Sequence, residues 1–103
     1  MKYQVTPAFE GDWSRLSEPE RGRFREVVRS QFHPACERYH DDPSTRWPQS
    51  LRIKQIEGAP GIWEMTWSFS GTDGRATFEW IGNDDEPAIR WRRVGGHAIF
   101  HDP

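Results

Sequence analysis

A single cysteine, Cys36, is the whole thiol content of this 103-residue chain. No internal disulfide can form, so nothing in the fold depends on an oxidising compartment. No apolar run approaches the ~20 residues of a membrane-spanning helix. The first residues, Met1 to Pro7, lack the apolar stretch of a secretory signal, so the expected location is the cytoplasm. There is no nucleotide-binding glycine loop, no Ser-His-Asp spacing worth arguing, no repeat and no low-complexity tract. Nor is there an excess of positive charge. Fourteen Lys and Arg face sixteen Asp and Glu, a formal charge of -2. That excludes a uniformly basic nucleic-acid binder but leaves room for a local basic face. Lysine is scarce at two residues, so twelve of the cations are arginine, the side chain suited to forked phosphate contacts.

Apolar residues make up only 34% of the chain and charged ones 29%, a balance that leans toward disorder. Six Trp and six Phe counter it. Each buries ~150–250 Å², so a few of them build a small core. The length suits one domain, residues 1–103. Lys2 to Phe9 reads as a strand and Trp13 to Leu16 as a brief helical turn. Ser17, Pro19 and Glu20 carry the signature of a capping box with proline in the first turn. The helix they open runs to about Phe32, with Phe24, Val27, Val28 and Phe32 on one stripe. Pro34 kinks it or starts a new turn, Ala35 to Tyr39, and a loop follows to Pro48.

From Leu51 the period changes from 3.6 to 2. The strands expected are Leu51–Ile56, Ile62–Phe69, Gly74–Ile81 and Ala88–Val94, with a tight connection over Ser70–Gly74 and an acidic turn over 82–87. Short connections favour an antiparallel meander. The fold class is α+β: an N-terminal strand, two helices, then four strands, with the helices on one face of a twisted sheet.

Alternation sorts each strand into two faces. Trp63, Met65, Trp67 and Phe69, then Ala76, Phe78 and Trp80, then Ile89 and Trp91, with Leu51 and Ile53, form the apolar side. The opposite side carries Arg52, Lys54, Arg75, Arg90 and Arg92 against Glu64 and Glu79. Stacked cations on a sheet face either stay solvated with cross-strand Arg–Glu pairs or meet an anion. Arg93 follows Arg92 and so turns to the helix side, where a salt bridge to a helix carboxylate is the simpler role.

The order of elements and the C-terminal half resemble the RelE/ParE superfamily of bacterial toxins. The residues that carry the resemblance are Leu51–Ile56, Gly61-Ile62-Trp63-Glu64-Met65, Asp73-Gly74-Arg75-Ala76-Thr77-Phe78 and Ile89 through His97. It spans about Val5 to Phe100. The resemblance implies a toxin neutralised by a cognate antitoxin protein, whose amphipathic helix would lie against the sheet or helix surface. RelE-like and HigB-like branches cleave messenger RNA on the ribosome. ParE-like branches poison DNA gyrase without nuclease chemistry, and a catalytically inactive antitoxin-binding homologue is a further alternative. Arg75 and His97 fall where the nucleases keep a phosphate-binding Arg and a terminal Arg or His. Glu64 and Thr66 stand where RelE shows lysines, and Phe100 offers no tyrosine hydroxyl. These departures leave a HigB-like or YoeB-like acid–base arrangement open.

Cleavage by 2′-hydroxyl attack needs a base, an acid at the leaving 5′-oxygen and cations on the phosphate. A histidine titrates near neutrality, so His97 fits either proton-transfer role. Glu64 or Glu79 is its candidate partner. Arg75 would stabilise the developing charge, and Arg52, Lys54, Arg90 and Arg92 would hold RNA phosphates. The alternative for His97 is a hydrogen-bonded surface histidine after a Gly-Gly turn. No cofactor and no metal is called for. His33, Cys36 and His40 mimic zinc ligands on a helix face, but Pro34 interrupts it and no fourth ligand is evident. Trp47, between two prolines, either stacks on a base or caps a hydrophobic edge.

Overall fold

Thr6 makes the first break in the chain. Its hydroxyl accepts from the Phe9 N–H at 3.1 Å, and Pro7 sits in the first helical turn, where a missing N–H costs nothing. The strand expected over Lys2–Phe9 therefore stops early. In the computed structural model, which describes residues 1–68 and 73–103, β1 is Lys2–Val5 and α1 is Pro7–Arg15. The capping box at Ser17 forms as expected. Ser17 accepts from the Glu20 N–H, and the Glu20 carboxylate accepts from the Ser17 N–H at 2.8 Å. The Ser17 main-chain N–H, with help from the Ser17 hydroxyl, holds the Glu20 carboxyl below its ordinary range. Helix α2 is Glu18–Val27.

Pro34 produces a widened turn rather than a sharp kink. Over Val28–Phe32 the helix takes π geometry, with the His33 N–H donating to the Val28 carbonyl, and α3 then runs His33–Asp41. The extra residue in that turn relieves the clash a proline ring makes with the carbonyl four residues before it.

The remaining strands are β2 (Lys54–Gln55), β3 (Trp63–Ser68), β4 (Gly74–Gly82) and β5 (Pro87–Gly95). Their order is β1-β5-β4-β3-β2. β2 to β5 form the antiparallel meander, while β1 lies parallel to β5, Tyr3 opposite Ile89 and Val5 opposite Trp91. The architecture is α+β, a five-stranded mixed sheet with its core under the helices. The strand expected from Leu51 shrinks to two residues for a local reason. Gln49–Leu51 is a 3₁₀ turn that puts Leu51 into the core, and Arg52 leaves it in the left-handed region with φ 47°. Phe69 and most of the connection expected over Ser70–Gly74 fall outside the described residues.

Aromatic rings make the core. Phe24 and Phe32 from the helix layer meet Trp91 at 5.1 and 4.8 Å between centroids, and Phe32 meets Phe78 at 5.0 Å. Edge-on and tilted pairs of this kind add to their area burial. The alternation read from the sequence holds for Met65, Trp67, Ala76, Phe78, Ile89 and Trp91, all buried. The register shifts between Thr66 and Ser68 in β3, and the alternation breaks at a bulge where Thr77 faces Arg93 but Phe78 faces Trp91, leaving Arg92 as the extra residue. Past it, Val94 takes the core side and Arg93 moves into the row of Thr77. Arg93 still reaches a helix carboxylate, that of Asp12 in α1, with Nε at 2.6 Å and Nη2 at 3.0 Å.

Two outcomes follow. A Cβ on Gly74 would stand 2.6 Å from the buried Trp67 ring, so Gly74→Ala should cost about 1–3 kcal/mol in urea unfolding, with the same m-value. Burial, aided by the Glu37 charge, pushes the fully buried Cys36 thiol well above its ordinary range. Thiol reagents should label Cys36 only as the protein unfolds, with labelling tracking the denaturation curve.

Candidate functional site

Arg75 is the second residue of β4, opposite Thr66 on one side and Gly95 on the other. It is only 7% exposed, and its main-chain carbonyl accepts from the Trp67 indole N–H at 2.9 Å. Its guanidinium donates to the Gly74 carbonyl at 3.3 Å and lies 3.4 Å from Asp73 Oδ2. The same Nη2 lies 3.4 Å from His97 Nε2. A guanidinium can only donate, so this contact places the imidazole lone pair on Nε2 and its proton on Nδ1.

His97 is exposed and opens a 3₁₀ turn, His97–His101, that folds back over the sheet. Its ring meets Phe100 edge-on at 5.7 Å. Ile99 is buried beneath this turn, and Thr66 and Thr77 are buried on the sheet side. The face expected to be open is thus roofed at one end, and the roof supplies the histidine.

Between roof and sheet lies a cleft of about 450 Å³ lined by Arg52, Lys54, Glu64, Thr66, Arg75, His97 and two apolar side chains, Ile53 and Phe100. Lys54 and Glu64 are cross-strand partners, with Nζ and Oε1 3.7 Å apart. Three cations and one carboxylate line the cleft, a local excess of two positive charges in a chain of formal charge -2. A phosphodiester fits that balance.

Five of the seven residues singled out in the sequence meet here: His97, Glu64, Arg75, Arg52 and Lys54. Arg90 and Arg92 do not line the cleft. Both pair with Glu79, Arg90 at 3.2 Å, and Arg92 also donates to the Pro103 main-chain oxygen at 3.0 Å. Glu79, the other candidate carboxylate, is held by those two arginines. Asp73, beside Arg75, escaped the sequence reading. Its signal is an acidic residue two positions before a strand cation.

The other candidates have partners elsewhere. His33 Nδ1 meets the Tyr3 hydroxyl at 2.6 Å and its Nε2 meets Glu37 at 3.1 Å, while His40 Nε2 meets the Asp84 carbonyl at 3.0 Å. Among the described residues no group of three or more His, Cys, Asp and Glu is arranged to hold a metal. Trp47 stacks on Tyr39 at 4.8 Å and packs against the core edge. The acidic turn of Asp84, Asp85 and Glu86 is built on the Asn83 side chain at the far end of β4. Seven residues of strand separate it from Arg75, about 23 Å. That exceeds the ~8 Å screening length of physiological salt, so the turn does not shield the cleft.

No family model and no curated protein sequence matches the chain. Solved structures do. A YoeB/ParE toxin from Agrobacterium tumefaciens superposes with a TM-score of 0.62 at 15% identity, over 94% of this chain and 99% of that one. The intact E. coli RelBE toxin-antitoxin complex contains a chain that superposes with a TM-score of 0.56 at 12% identity, over 92% of this chain and 94% of that one. At these identities the likeness shows the fold. The chain has the fold of the RelE/ParE toxins along nearly its whole length.

Proposed function

We propose that the chain is the toxin of a toxin–antitoxin pair, and that it cuts messenger RNA on the ribosome by metal-independent acid–base chemistry. The observation that carries this reading is the contact of His97 Nε2 with the buried Arg75 guanidinium in a cleft that also holds Glu64. The fold of proteins described as toxins supports it. A cognate antitoxin is then the protein partner, and the cytoplasm is where both meet the ribosome.

The chemistry follows from the residues. A scissile phosphate entering the cleft takes over the Arg75 N–H and frees His97 Nε2, which then takes a proton from solvent. Glu64, beside Lys54, accepts the 2′-hydroxyl proton as O2′ bonds to phosphorus. The P–O5′ bond breaks, and His97 gives its proton to the leaving oxygen. The products are a 2′,3′-cyclic phosphate and a 5′-hydroxyl. Arg75 faces the charge that grows on the phosphorane, where a fixed donor in a dry site is worth most. Arg52 and Lys54 hold the neighbouring phosphate.

The test is primer extension on messenger RNA from a translation reaction given the purified protein. Discrete cuts within codons, with 5′-hydroxyl ends, are expected. His97→Ala and Arg75→Ala should each lower the rate by roughly 10²–10³. Arg90→Ala should change it less than about threefold, since Arg90 lies outside the cleft. Intact transcripts in the presence of the protein would overturn the nuclease reading. Intact transcripts with an SOS response in cells would favour a gyrase target instead.

A further inference from the structure

His97 reaches Arg75 only because the segment carrying it is folded back over the sheet. That segment is a single short turn. The main-chain bonds at its two ends, Ile99 N–H to the Gly96 carbonyl and Asp102 N–H to the Ile99 carbonyl, are both 3.2 Å, and no side chain caps it. A turn of five residues has no independent stability. Its hold comes from the body of the domain. Ile99 is buried close to Gly95, where an added Cβ would come within 3.2 Å of it. Two arginines of β5 reach across to its far end, Arg92 to the Pro103 oxygen and Arg93 to the Asp102 carbonyl, the latter at 2.9 Å.

The two arginines differ in what fixes them. Arg92 is about one-third exposed and leans on the half-buried carboxylate of Glu79. Arg93 is less exposed and sits on Asp12, a carboxylate only 6% exposed that also accepts the Val94 N–H at 3.1 Å. Asp12 takes two of the guanidinium's nitrogens and leaves Nη1 for the Asp102 carbonyl. Only the planar fork of arginine serves a carboxylate along one edge and a carbonyl off the other. A lysine ammonium at the same place has no such pair of fixed edges.

We infer that Arg93 is a positioning residue for His97. Seated on buried Asp12, it clamps the His97–His101 turn so that the imidazole meets Arg75. The fixed end of the clamp lies in α1, so the first helix sets the geometry of the last turn. The catalytic consequence rests on the cleavage reading above. The clamping itself does not.

The experiment compares Arg93→Lys, which keeps the charge, and Asp12→Asn, which keeps an acceptor, with the unaltered protein. Amide hydrogen exchange, the ¹⁵N signals of the His97 ring, and kcat and KM for RNA cutting are measured. Exchange at Ile99 and Asp102 should quicken tenfold or more while Ala76 and Phe78 stay protected. The His97 ring signals should move. The kcat should fall about 10- to 100-fold with KM nearly unchanged, as expected when a reacting group is displaced by about an ångström. On a His97→Ala background, Arg93→Lys should cost nothing further. Unchanged exchange and ring signals in both variants, or losses that multiply in the double variant, would overturn the inference. Should His97→Ala leave RNA cutting intact, the cleavage reading falls alone, and exchange and ring signals still decide whether Arg93 clamps the turn.

Discussion

One carboxylate inside the protein organises much of what surrounds it. Asp12 accepts from Arg93 twice, from the Val94 N–H and from Arg15, and is nearly sealed from solvent. An unpaired charge at that depth would cost several kcal/mol, so the surrounding donors are a condition of folding rather than a refinement. The donors come from places that no local rule would join: the first helix and the bulged end of the last strand. The hydrogen bond that holds Arg93 to Asp12 also raises the arginine's already high pKa, so the guanidinium keeps its charge. The sheet end that bears Arg75 and His97 is anchored by this buried pair.

The cations of the chain divide by what neutralises them. Arg90 and Arg92 share Glu79, and Arg93 has Asp12, so these three arginines of β5 are largely spoken for. In the cleft, Glu64 is the one carboxylate among the lining residues, set against Arg52, Lys54 and Arg75. A net acidic protein thus presents a small basic cleft. Asp73 lies beside Arg75, but the acidic turn of Asp84 to Glu86 stands farther away than salt lets its field reach. Net charge is a poor guide to anion binding when sites are this small.

Much of this was readable in the sequence, and the failures have physical causes. The Ser17 box and the alternation in β3 and β4 were legible because each is a local pattern repeated at its own period. The Thr6-Pro7 start was equally local. It was hidden by the expectation that Tyr3 and Val5 belonged to a longer strand. Leu51 looked like the first residue of a strand because its apolar neighbour two places on fits period 2. The left-handed turn at Arg52 overrode that pattern to seat Leu51 in the core. The bulge at Arg92 could not have been read at all. Register between strands is a tertiary fact.

The same distinction explains the site. Alternation put Arg52, Lys54, Glu64, Arg75, Arg90 and Arg92 on one face, but a face is wide. Lys54, Glu64, Thr77 and Arg93 form one cross-strand row, and Glu79 with Arg90 another, two residues farther along β4. Rows so spaced lie roughly 7 Å apart, enough to separate a cleft from a structural ion pair. Parity names the candidates and register chooses among them. The returning C-terminal turn then completes the choice, because His97 approaches the row of Arg75 and Gly95 from outside the sheet and meets the cation there. The step from face to row needed the third dimension, and that step separates the arginine facing the imidazole from those bound to Glu79.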